Sequence, residues 1–81
     1  MTTKQINSLL RRHMKAVSPA VPDGLPAESH FRYDWHLDSL DLVEFAARIE
    51  RQFKIMIPDE DLPQLMSLAA TEQYIRAHLP P

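Results

Sequence analysis

A single glycine in 81 residues, and no stretch where apolar and polar side chains alternate cleanly, speaks against a β fold. Tight hairpins draw on glycine for positive backbone angles, and half-buried strands need period-two patterning. Every strong pattern in the chain is helical instead. Thr2 with Gln5 three residues later reads as a capping box. Ile6, Leu9, Leu10, Met14 and Val17 then recur as one helical stripe, which predicts a helix over residues 3–17 that Pro19 ends. Leu42, Ala46, Ile49 and Phe53 form a second stripe on a helix from about Asp38 or Ser39 to Phe53. Asp41, Glu44, Arg48 and Arg51 recur on its wet face, with Leu40, Val43 and Ala47 between the two faces.

Between these helices lies a segment, residues 18–37, with three prolines, the only glycine and no periodicity. A loop this long is uncommon in a compact domain and usually signals either function or a missed element. Val21, Leu25, Phe31, Tyr33 and Trp35 are expected to pin it to the core. After Phe53, residues 53–58 leave the helix in extended form and stop at Pro58. The acidic run from Asp59 to Asp61 predicts one or two helical turns, limited by Pro63. Leu68, Ala69, Ile75 and Leu79 predict a last helix from about Ser67 that Pro80 and Pro81 end. The expectation is an all-α fold in one domain: a small four-helix bundle with three longer helices, one short helix and a long first loop.

Size and charge narrow the function. A chain this short buries roughly 60–65% of its unfolded surface and leaves little room for a deep enzyme cleft. Cysteine is absent, so helix packing must do the work of staples, and thiolate metal sites are excluded. Residues 1–37 carry five basic and three acidic side chains; residues 38–81 carry four and eight. No basic cluster suits nucleic acid. No apolar run approaches the ~20 residues of a membrane span, and no signal-peptide core opens the chain. A reducing, cytoplasmic home is expected. Lys4, Arg11, Arg12 and Lys15 read as a solvated helix face.

The four histidines are scattered, with no metal-binding pair and no Gly-x-Ser-x-Gly elbow. His36 stands three residues before Ser39, but an exposed turn offers neither an oxyanion hole nor a cleft. Enzyme activity is therefore not expected. Asp38 can cap the free amides of the second helix, with Asp41 and Glu44 suiting its positive end, while the ordinary reading of Ser39 is likewise a helix N-cap. The alternative is a hydroxyl presented at a helix mouth for modification, where free amides and the helix dipole favour an added phosphate.

The wider pattern resembles the acyl carrier protein family. Phe31, Asp34 and Asp38-Ser39-Leu40-Asp41 match the approach to that family's modified serine. Val43-Glu44 and Ile49-Glu50 through Phe53 match the helix that follows, and Ile55-x-Ile57-Pro58-Asp59-Glu60 matches the segment leading to the short third helix. The resemblance implies that a phosphopantetheinyl transferase, using coenzyme A and a divalent metal, places 4′-phosphopantetheine on Ser39. The arm's thiol then holds acyl groups for acyl-loading, condensing or acyl-transfer enzymes of fatty-acid, lipid or polyketide-type synthesis. It further implies that Asp38 and Asp41 position the transferase and that Leu40 packs beside the arm. Asp41, Val43, Glu44, Ala47 and Arg48 would be read by partners, and Phe45, Ile49 and Phe53 would border an acyl pocket. The carrier is expected to be a monomer and a tethered substrate, not a catalyst. Two alternatives stay open: an aminoacyl or peptidyl carrier loaded by an adenylating enzyme, and a carrier-fold scaffold. Three departures from the family stand out. Trp35-His36-Leu37 replaces the usual Leu-Gly and a small residue. Arg48, Arg51 and Lys54 are basic where many relatives are acidic or neutral, and the net charge of −2 is mild. Together they lean towards a specialised pathway.

Overall fold

Three α-helices and one 3-10 helix carry the chain in a computed structural model that describes residues 1–79. Helix α1 spans Thr3–Val17, α2 Ser39–Phe53 and α3 Leu68–His78, with the 3-10 helix over Asp59–Leu65 between the last two. No strand occurs among the described residues. The prolines expected to end α3 lie outside those residues; the helix closes at Leu79, whose N–H donates to the Ile75 carbonyl.

Each boundary has a local cause. The Thr2 hydroxyl accepts from the Gln5 amide at 3.1 Å, and the Gln5 side chain accepts from the Thr2 amide at 2.8 Å, completing the capping box. Ser67 caps α3 by accepting from the Ala70 amide at 3.0 Å. Helix α2 stops because Lys54 turns into the left-handed region, with φ 56°. The acidic run forms a 3-10 helix that does not stop at Pro63 but runs on to Leu65.

Ile6, Leu10 and Met14 from α1 meet Phe45, Ile49 and Phe53 from α2 and Leu68, Tyr74 and Ile75 from α3 in one core. Leu42 and Ala46 complete the α2 stripe. Helix α1 packs on α2 and α3, and the 3-10 helix bridges α2 and α3. Phe31 from the long loop meets Phe45 edge to face, with ring centroids 5.5 Å apart. Such a pair is worth about 0.5–1.5 kcal/mol beyond its burial. Tyr74 donates its phenol O–H to Asp61 at 2.7 Å and clasps the 3-10 helix to α3. Burial, that hydrogen bond and the negative charges of Asp61 and Glu50 push the phenol up to about 12.

The long loop is ordered by anchors that its own sequence does not announce. Arg11 donates to the carbonyls of Leu25 at 2.7 Å and Asp23 at 3.2 Å. Lys15 donates to the Val21 carbonyl at 2.7 Å and pairs with Asp23. Two of the four basic residues expected to be merely solvated therefore hold the loop. Phe31 and Ala27 extend the anchoring: the Phe31 amide donates to Met66 at 2.7 Å, and the Ala27 carbonyl accepts from Ala69 at 2.9 Å. Val21, Leu25 and Phe31 are buried and Trp35 half-buried, as expected of pins. Tyr33 is not a pin. It is 81% exposed and stacks on His30 with centroids 4.1 Å apart, because the turn at residues 31–35 points its ring outward.

Candidate functional site

The mouth of α2 is built by a division of labour between two neighbours. Asp38, in an extended conformation, is the N-cap: its Oδ1 accepts from the Asp41 amide at 2.8 Å. Asp41 reciprocates by accepting from the Asp38 amide at 3.2 Å. This acidic capping box displaces the ordinary reading of Ser39 as the cap. Ser39 is the first residue of the helix, exposed, and no hydrogen bond among the described residues engages its hydroxyl. The first-turn amides of Ser39 and Leu40 have no helical partner, as at any helix start, and Asp41 lies at the positive end of the dipole.

The approach to Ser39 is fixed from behind. Leu37 is buried, and its amide donates to the Phe31 carbonyl at 3.0 Å. Trp35 turns its indole N–H to the Ser29 hydroxyl at 2.8 Å. Of the three residues where the family pattern differs, only His36 is exposed, and it adopts φ 57°. That is the left-handed region, in which a non-glycine residue costs roughly 1–2 kcal/mol.

Leu40 and Val43 stand out from the helix, 78% and 49% exposed, and Ala47 is half-buried one turn further on. Beside this apolar strip Glu44 is exposed and accepts from Arg48 at 3.4 Å. Glu50 does not join the basic residues of the helix; its carboxylate accepts from the Ile57 amide at 2.8 Å and pins the extended segment. Phe45, Ile49 and Phe53 lie in the closed core. The cleft that opens beside Ser39, about 380 Å³, is lined instead by Leu42, Val43, Leu62, Pro63 and Met66, with His30, Arg32 and Tyr33 at the loop side.

The Ser39 hydroxyl is thus open to solvent in the first turn of a capped helix, after an ordered loop. A family model described as the phosphopantetheine attachment site matches residues 8–75. The chain belongs to the acyl carrier protein family. The mitochondrial acyl carrier protein of Neurospora crassa is 43% identical over 54 residues, covering 67% of this chain and 40% of that protein. The acyl carrier protein of Bdellovibrio bacteriovorus is 39% identical over 54 residues, 67% of this chain and 69% of that one. That of Clostridium acetobutylicum is 41% identical over 51 residues, 63% of this chain and 66% of that one. Phosphopantetheine is the group this family carries, and an acyl carrier protein is a carrier rather than an enzyme. The residues present fit such a group: a free hydroxyl at a helix start and an adjoining cleft with an apolar floor. No group of acidic or imidazole side chains suited to a metal ion occurs among the described residues, and no helix among them is long and apolar enough to cross a membrane.

Proposed function

We propose that the Ser39 hydroxyl is the attachment point for 4′-phosphopantetheine and that the protein delivers acyl groups to partner enzymes of fatty-acid, lipid or polyketide-type synthesis. One observation carries this reading. Asp38 caps α2, which leaves the Ser39 hydroxyl exposed and uncommitted at the positive end of the helix. A phosphopantetheinyl transferase with coenzyme A and a divalent metal would form the bond from Ser39 Oγ to phosphorus. The phosphoanhydride of coenzyme A breaks, the adenosine bisphosphate half leaves, and the hydroxyl proton is lost. Once attached, the arm supplies a thiol that holds the acyl group as a thioester.

The chain's own residues orient and present. Asp38 and Asp41 keep the first turn rigid and offer carboxylates to the transferase, and Leu40 shields the root of the arm. Val43 and Ala47 offer apolar contact, while Glu44 and its partner Arg48 give the docking face its charge. An acyl chain entering from Ser39 meets Leu42 and Met66 first and reaches Phe45, Ile49 and Phe53 by parting the core. Each CH₂ so buried contributes about 0.8 kcal/mol. The tether raises the cargo's effective concentration at each partner. We place this activity in the cytoplasm, in a monomer of one carrier domain.

The test is intact mass after incubation with coenzyme A, Mg²⁺ and a broad-specificity phosphopantetheinyl transferase, followed by loading of the product. A gain of one arm, then thioester formation with acyl donors but not with amino acids plus ATP and an adenylating ligase, is the expected result. Amino acid loading alone would make the chain an aminoacyl carrier. Full biological activity of Ser39→Ala would make it a scaffold.

A further inference from the structure

We propose that Arg32 receives the phosphodiester at the root of the arm, so that modification ties the long loop to α2. This rests on attachment at Ser39 as proposed above. Arg32 and Ser39 line the same open cleft, with Leu42 and Met66 in its floor, and Arg32 is its only arginine or lysine. Among the described residues Arg32 has no carboxylate within ion-pair reach; Lys4, Arg11, Arg12, Arg51 and Lys54 have none either, but none of those lines the cleft with Ser39. Asp34, the acid nearest to it in sequence, is turned to the His30 amide at 2.6 Å.

The backbone from which the Arg32 side chain springs is fixed. Its amide donates to His30 Nδ1 at 3.1 Å, its carbonyl accepts from the His36 amide at 3.1 Å, and the neighbouring Phe31 amide holds Met66. With the backbone fixed, only the side chain has to be ordered, and the planar fork of the guanidinium matches two phosphate oxygens. The need for a cation is local. A phosphodiester on Ser39 adds a permanent negative charge beside Asp38 and Asp41, whose carboxylates are committed to the capping box. The helix dipole offsets part of that charge, and the cation across the cleft offsets more. An exposed pair of this kind is weakened by salt.

The experiment compares apo and holo forms of the full chain, as parent, Arg32→Gln and the control Arg12→Gln, an exposed residue of α1. Holo protein is verified by intact mass. The parent is expected to melt about 2–6 °C higher as holo than as apo in low salt. This gain shrinks in high salt, is largely lost in Arg32→Gln and is kept in Arg12→Gln. The phosphorus NMR resonance of the holo protein is expected to move in Arg32→Gln only. An unchanged gain and an unchanged resonance in Arg32→Gln overturn the role of Arg32 while leaving attachment intact. No mass gain in the parent, with the transferase active on another carrier, contradicts attachment at Ser39 and this proposal with it.

Discussion

Residues 18–38 and helix α2 meet at Ser39, yet they are held in opposite ways. Helix α2 is ordered by its own repeat: Leu42, Phe45, Ala46, Ile49 and Phe53 face the core, and Asp38 and Asp41 close its start. The loop has no repeat and is ordered by other elements. Arg11 and Lys15 reach it from α1, and Met66 and Ala69 bind it from the other side. Only Val21, Leu25, Phe31 and Leu37 sink into the core. The serine is thus placed by a helix whose order follows from its own repeat and cap, and framed by a loop that other elements hold. The helix sets where the hydroxyl is, and the loop sets what surrounds it.

The largest effect should come from removing the loop's deepest pin. Phe31→Ala should cost about 3–5 kcal/mol in urea denaturation, whereas Tyr33→Ala two residues away should stay within about 0.5. Equal costs would mean that the loop is not anchored through Phe31. The helix start is next: Asp38→Ala should cost about 1 kcal/mol. Arg11→Met, which keeps the aliphatic stem but removes both donors, should cost up to about 1 kcal/mol. Hydrogen exchange should quicken at the amides of Val21 and Leu25, while those of α2 stay protected. Uniform quickening would dissolve the distinction between the two regions. His36→Gly should gain about 0.5–1 kcal/mol, because relief of the left-handed turn outweighs the extra entropy of glycine in the unfolded chain. Alkaline pH tests a clasp outside both regions. The folded Tyr74 phenol lies at about 12, above its ordinary 10.0, so its contribution is whole below about pH 10 and is lost as pH rises through about 12. The pH profile of Tyr74→Phe should lack that loss, and an identical profile would assign it elsewhere.

Most of the fold was legible because helices write their repeat into the chain. Ile6, Leu10 and Met14 and the stripe from Leu42 to Phe53 are buried as their spacing demands, Leu9 and Val17 only half-buried at the edge of theirs, and the Thr2 and Gln5 box closes as read. What escaped was mostly long-range. No local pattern says that Arg11 and Lys15 bind carbonyls more than five residues on, or that Glu50 turns from its helix to the Ile57 amide. The left-handed turns at His36 and Lys54 escaped because neither residue carries the usual glycine signal. At the site, residue types were readable but the assignment of the cap was not. Aspartate and serine are both good caps, and only the hydrogen bonds separate Asp38 as the cap from Ser39 as the free hydroxyl.

That separation is the centre of the account, and Ser39→Ala tests it in a single protein when melting temperature and intact mass after transferase treatment are measured together. A variant that melts within about 2 °C of the parent and gains no arm is the predicted result. A loss of stability as large as that of Asp38→Ala would show the serine to be a cap after all. An arm gained without the Ser39 hydroxyl would place attachment elsewhere in the chain.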